Sequence, residues 1–166
     1  MMFSRIVSKL QQLIKPEFAA GSHAERLFEA LCSERGHLCE RIAQDQRSFL
    51  AYARLTRYGK RGDYLIRRFN AEIEVKCSTA YGKDHYHYLK YAHVQRHLKM
   101  QEHTNTRVIF AFFEREGRRA AKDSLRMIPL QDLVNRKPRI VYSDKHKVLK
   151  IPRSAMVYGF DLIEKN

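Results

Sequence analysis

The sequence predicts an α/β fold: a central mixed β-sheet flanked by helices, with an N-terminal helix and a β-rich C-terminal extension. Three observations carry this expectation. Residues 71–77 (Ala-Glu-Ile-Glu-Val-Lys-Cys) alternate apolar and charged side chains, the period-two pattern of a strand with one face in a core. Residues 107–114 form a nearly continuous apolar run, as expected of a central strand covered on both faces. Between them, residues 86–102 return to a helical period, and strand, crossover helix and buried strand in that order make a layered α/β domain.

The remaining elements follow in chain order. Residues 1–15 place Phe3, Ile6, Val7, Leu10, Leu13 and Ile14 on one stripe, an amphipathic helix stopped by Pro16. Gly21 and Ser22 make a break and an N-cap, with Glu25 completing a capping box, and a helix over 23–35 ends at Gly36. Residues 37–42 make a short strand, while 43–58 fit helix and strand equally. The basic turn Gly59-Lys60-Arg61-Gly62 leads into a short run beginning at Asp63, which pairs with the alternating strand. Met127-Ile128-Pro129-Leu130 is an edge strand, because Pro129 has no N–H for a central ladder. Residues 130–134 start a helical turn, and 140–142 with 148–151 make a hairpin. With no repeat or linker, all 166 residues form one domain: a helical extension over 1–20, a core over 21–114 and an extension over 115–166.

Thirty-two Lys and Arg against 18 Asp and Glu give a formal charge of +14. Such an excess points to a polyanionic partner, nucleic acid before an anionic membrane. Cys32, Cys39 and Cys77 contain no CxxC pair and fit free thiols in a reducing compartment. No apolar run is long enough to span a bilayer, and the first fifteen residues are too amphipathic for a secretory signal. The expectation is a cytoplasmic protein without membrane contact.

The chemistry centres on the alternating strand. Glu74 and Lys76, two apart, project from one face about 6–7 Å from each other. A carboxylate there suits a hard divalent cation, and a lysine beside it can orient a water or offset charge on a phosphate. Asp63 on the neighbouring strand adds a second carboxylate. Glu25 lies at the edge of its helix's apolar stripe, where it caps the helix or looks into a cleft. Gln95 falls mid-face on the helix after the strand, where its amide needs a partner. His93 and His97, four apart, suit either zinc chelation or a polar helix side facing phosphate. Tyr81, Tyr86, Tyr88 and Tyr91, interleaved with Lys83 and Lys90, are open to base stacking or to core packing.

In order and spacing these residues resemble the PD-(D/E)xK nuclease superfamily, the restriction-endonuclease-like fold, over roughly residues 21–114. Asp63 matches the motif aspartate, Glu74-Val75-Lys76 the (D/E)xK, Glu25 the helix acid and Gln95 a glutamine of resolvase-like members. Gly21-Ser22-His23-Ala24-Glu25-Arg26-Leu27-Phe28 is similar to the opening of small Holliday-junction-resolvase-like endonucleases, and Ile128-Pro129-Leu130 to a late strand of other members. Gly62 stands where the family usually has proline, and Glu72 doubles the acid. The resemblance implies a Mg²⁺-dependent endonuclease acting on DNA, branched or single-stranded substrates included, with Mn²⁺ as substitute. It implies Asp63, Glu74 and Glu25 as metal ligands, with Lys76 and Gln95 completing the catalytic set. A homodimer is a further expectation. The alternative reading is a non-catalytic, basic nucleic-acid-binding module on the same fold.

Overall fold

The computed structural model describes residues 16–42, 59–83, 85–143 and 146–164. The amphipathic stretch 1–15 and the ambiguous stretch 43–58 lie outside them.

Helix α1 (Pro16–Glu34) runs straight through Gly21 and Ser22, so the expected break and capping box are absent. The apolar stripe Ala20, Ala24, Phe28 and Cys32 continues across that point, and its burial outweighs the weak helix preference of one glycine. Gly36, at φ 70°, ends the helix as expected. Strands β1 (Glu40–Arg41), β2 (Tyr64–Ile66) and β3 (Ala71–Ser78) pair antiparallel in sequence order, with Tyr64 opposite Ile73 and Leu65 opposite Glu72.

Residues 86–90, expected to open the second helix, instead form β4 (Tyr86–Lys90), and helix α2 (Tyr91–Thr104) begins only after it. Tyr-His-Tyr-Leu alternates with period two, and the alternation prevails because β4 gains an antiparallel partner along its whole length. Asn105, in the left-handed region, closes α2 by donating its N–H to the Gln101 carbonyl at 2.9 Å. Strand β5 (Arg107–Glu116) lies parallel to β3 and antiparallel to β7 (Arg126–Pro129), which makes it the central strand predicted from its apolar run. Two-residue strands β6 (Arg119–Ala120) and β10 (Val157–Tyr158) complete the sheet, in the order β1-β2-β3-β5-β7-β10 with β6 on the end of β5. Strand β7 is therefore not an edge. It is covered by β10 only at Arg126 and Met127, which leaves Pro129 clear of that ladder.

Helix α3 (Leu130–Asn135) follows β7 directly. Then β8 (Arg139–Ser143) and β9 (His146–Pro152) make the expected hairpin, and β4 joins it to form a second sheet in the order β4-β9-β8. A short helix α4 (Asp161–Glu164) ends the described chain.

The main sheet has a core on each face. Alternation along β5 sends Ile109, Ala111 and Phe113 to the side of α1, where they meet Phe28, Tyr64, Ile73 and Val75. Val108, Phe110 and Phe112 go to the other side, against Val94 of α2, Leu130 and Leu133 of α3, and Leu149 and Ile151 of the small sheet. Each large side chain buried this way contributes about 1.5–3 kcal/mol. This two-sided burial places β3 between the layers, closed on both faces from Ala71 to Val75 and half-open from Lys76 to Ser78.

Candidate functional site

Strand β3 departs from the picture of a half-exposed charged strand. Glu72 and Glu74 are both fully buried. They sit on the α2 face, in register with Val108 and Phe110 of β5, with Lys76 next along the row. Burying two carboxylates is expensive unless each is paired and hydrogen-bonded. The chain solves this twice, and differently.

Glu72 is held by the turn that precedes β2. Its Oε1 lies 2.6 Å from the Arg61 guanidinium, and its Oε2 accepts the Gly62 N–H at 2.9 Å. The glycine is required: a Cβ there would sit 2.9 Å from the Ile73 carbonyl oxygen, and a proline would in addition remove the N–H that Glu72 uses. The missing family proline and the second acid thus explain each other. Glu72 is a structural ion pair.

Glu74 is the acid of the site. Its Oε1 receives both the Lys60 and Lys76 ammonium groups, and its Oε2 lies 3.5 Å from His97 Nε2. Burial alone raises its pKa, but His97, Lys76 and Lys60 together outweigh that and hold the carboxyl well below its ordinary range. The 3.5 Å separation is too long for a good hydrogen bond, so Glu74 Oε2 and both ring nitrogens of His97 are buried without a hydrogen-bond partner among the described residues. His97 itself is fixed edge-on against the Phe110 ring, with centroids 5.3 Å apart.

Asp63 reaches the same point from β2. Its backbone N–H donates to the Ile73 carbonyl at 2.8 Å, extending the β2–β3 ladder by one residue. Its Oδ2 accepts the Val75 N–H at 2.8 Å, which anchors the carboxylate beside Glu74. Burial, and then the Glu74 charge, push its pKa up to about 6, against the opposing pull of Lys76, the Val75 amide and Lys60. Two carboxylates are thus held together, one firmly ionised and one reluctant.

The structure brings Asp63, Glu74 and Lys76 together and sets Glu25 against Arg41 instead. The Glu25 carboxylate lies 3.9 Å from Arg41 Nη1, on the α1 side of the sheet. The Tyr64 hydroxyl donates to the Glu29 carboxylate at 2.9 Å and lies 3.3 Å from the Glu25 carbonyl. Gln95 is half-buried on α2, whose buried line is Val94, His97 and Met100 rather than the face through residue 95.

Lys60 and His97 are the residues that sequence reasoning assigned elsewhere. Lys60 is placed by its flanking glycine: a Cβ at Gly59 would collide with the Arg96 carbonyl, which instead accepts the Lys60 N–H at 3.0 Å. The signal for Lys60 was a lysine fixed between two glycines just before the aspartate. The signal for His97 was its spacing of three from both Val94 and Met100. His93 stands nearby; burial, and then Lys60 and Lys76, lower its pKa. Among the described residues, no group of three His, Cys, Asp or Glu side chains, these histidines included, is placed to hold a metal ion.

Asp63 and Glu74 nonetheless suit a Mg²⁺-type ion. Such ions use one or two carboxylates and keep several waters, and the unpartnered Glu74 Oε2 beside the raised Asp63 is a pair that a hard cation would satisfy. All three cysteines are free thiols, and no helix among the described residues is long and apolar enough to cross a membrane.

No protein-family model matches the chain, and no curated protein matches it in sequence. Solved structures do match. Archaeoglobus fulgidus Hjc, a Holliday junction resolvase from an archaeal hyperthermophile, superposes with a TM-score of 0.51 at 15% identity, covering 86% of this chain and 94% of that one. D212, a nuclease from a fusselovirus, gives 0.48 at 14% identity over 84% and 83%. With its mixed sheet, its flanking helices and its Asp63 and Glu74-Val75-Lys76 on adjacent strands, the chain has the restriction-endonuclease-like fold.

Proposed function

We propose that this protein is a divalent-metal-dependent nuclease, an endonuclease acting on DNA. The observation that carries the reading is the buried meeting of Asp63, Glu74 and Lys76 at the β2–β3 pair. A fold shared with a resolvase supports it, as does the +14 charge, which suits a phosphate backbone. Glu25 and Gln95 are left outside the proposed site, because the one faces Arg41 and the other lies off the buried line of α2.

Asp63 and Glu74 would hold the cation, Mg²⁺ or Mn²⁺ in its place. When bound, it lowers the pKa of a water and polarises the scissile phosphate. The other groups have separate tasks. The Val75 N–H fixes the Asp63 carboxylate so that it need not reorganise. His97 and Lys60 keep Glu74 ionised. Lys76 is partly exposed, with about 28% of its side chain accessible, so its ammonium can face substrate while anchored on Glu74. There it orients the attacking water and offsets negative charge developing on the phosphorus oxygens.

The test is direct. Supercoiled plasmid and end-labelled linear, single-stranded and branched DNA are incubated with Mg²⁺, Mn²⁺ or EDTA. Internal cleavage with either metal and none with EDTA is expected. Cleavage that persists in EDTA contradicts the mechanism. Tight, salt-sensitive binding without cleavage under any metal would favour the binding-module reading.

A further inference from the structure

The small sheet has a face that the nuclease reading does not use. Along β4, His87 and Leu89 point into the protein, while Tyr86, Tyr88 and Lys90 share the opposite face. The register extends that outer face across the sheet: Tyr88 lies opposite Lys150, and Lys150 opposite Arg139. It is therefore a row of aromatic rings interleaved with cations.

One end of this face meets the catalytic strand. A cavity of about 510 Å³ is lined by Ser78, Tyr81, Tyr88, Val141, Tyr142 and Val148, among others, and none of the described residues that line it is acidic. Ser78 is the last residue of β3, two after Lys76, and its hydroxyl is hydrogen-bonded to His87 Nδ1 at 2.9 Å. Tyr81 is pinned to Tyr86: its N–H donates to the Tyr86 carbonyl at 3.0 Å, and its carbonyl accepts the Tyr86 N–H at 2.8 Å. Its ring lies 5.5 Å from that of Tyr88, yet remains 52% exposed, and Tyr142 is 72% exposed. A second cavity, about 450 Å³, floored by Ile128, Leu133 and Ile151, brings Arg136, Lys137, Arg139 and Lys150 around Tyr86. Lys150 Nζ stands 3.8 Å from the centre of the Tyr86 ring.

We propose that this face is a platform for unpaired DNA, with a nucleobase stacking in the Tyr81–Tyr88 cavity and the adjoining phosphates running over Lys150 and Arg139. Exposed, pre-positioned aromatic rings with cations between them are what single strands require, because every base offers a flat face and every linkage a charge. A duplex keeps its bases stacked and cannot use the cavity. Resting on the nuclease proposal, the platform implies in addition that the DNA cut at Asp63, Glu74 and Lys76 carries unpaired nucleotides beside the scissile bond. Tyr91, singled out with the other tyrosines in the sequence, packs against the core and takes no part.

The protein has no tryptophan, so Tyr81→Trp creates a unique fluorophore in the cavity. In EDTA, so that cleavage plays no part, labelled oligo-dT and a hairpin duplex of equal nucleotide count are titrated and followed by fluorescence and polarisation. Oligo-dT is expected to quench the emission of the introduced indole and the duplex to leave it unchanged. Tyr88→Ala should weaken oligo-dT binding about tenfold with less than twofold effect on the duplex, and Tyr88→Phe should bind as the unsubstituted protein does. Equal loss for both DNAs, equal loss in Tyr88→Phe, or oligo-dT binding without quenching would overturn the proposal. If oligo-dT discrimination stands and no cleavage is found with metal, the platform survives and the nuclease reading fails. Cleavage that is indifferent to unpaired nucleotides has the reverse meaning.

Discussion

Asp63 is a carboxylate held where ionisation is costly. Its pKa in the folded chain is about 6, against 3.8 ordinarily, through burial and then the Glu74 charge. The folded state therefore binds the proton more tightly than the unfolded state. The resulting stability is present in full below pH 3.8 and is lost as pH rises through 6. Asp63→Asn keeps an acceptor for the Val75 N–H and removes the ionisation. In EDTA at about pH 7.5 it should raise stability by about 2–3 kcal/mol, a gain that disappears near pH 4. Thermal melts across that range check it, and a variant no more stable than the parent at neutral pH would show that Asp63 ionises without penalty. Mg²⁺ should raise the melting temperature of the parent protein and not that of Asp63→Asn. Glu74 has the opposite sign: its lowered pKa means its contribution is present at neutral pH and lost in acid. The site thus stores instability at one carboxylate and holds the other ionised, and the proposed cation would relieve the first.

At the scale of elements, the turn 59–62 and strand β3 act as one unit. Gly59 lets the turn lie on α2, Lys60 bonds the Arg96 carbonyl, Arg61 and Gly62 take Glu72, and Lys60 then reaches Glu74. Glu72→Ala should cost about 3–5 kcal/mol in a urea titration, because it takes away the carboxylate that the largely buried Arg61 guanidinium faces. Gly62→Pro, which restores the residue usual in the resembled family, should destabilise rather than improve the protein, by about 1–3 kcal/mol or more. Stability unchanged in Gly62→Pro would mean that the Glu72 contact is dispensable. This unit was half legible in the sequence. The alternation of β3 and its pairing with the run from Asp63 follow from period-two hydrophobicity, which is a local signal. The burial of both acids does not, because it depends on α2 and the turn closing over the charged face from a distance. The second helix shows the same limit. The 3.6-residue and two-residue periods overlap across Tyr86–Lys90, and only the partner strand β9, far along the chain, decides between them.

For the whole molecule, the two-layer burial of β5 was the most legible feature, since a run apolar on both faces has few places to go. The small sheet was less so. Its hairpin could be read from residues 139–152, but the recruitment of β4 to it could not, and that recruitment places the tyrosines on an outer face. With +14 net charge, DNA affinity should fall steeply with salt, with a log–log slope that shrinks by about one for each phosphate-contacting lysine or arginine removed. Lys150→Ala or Arg139→Ala should show such a reduction for oligo-dT, measured by polarisation between low and physiological salt. The proposed catalytic set is a separate matter, and its most direct test separates cutting from holding. Cleavage of a saturating DNA substrate in Mg²⁺ is compared for the parent protein, Asp63→Asn and Lys76→Ala, with binding measured in parallel. A site built on Asp63, Glu74 and Lys76 predicts at least about a hundredfold loss of rate in each variant, with affinity changed only a few-fold. Rates within a few-fold of the parent in both variants would contradict it.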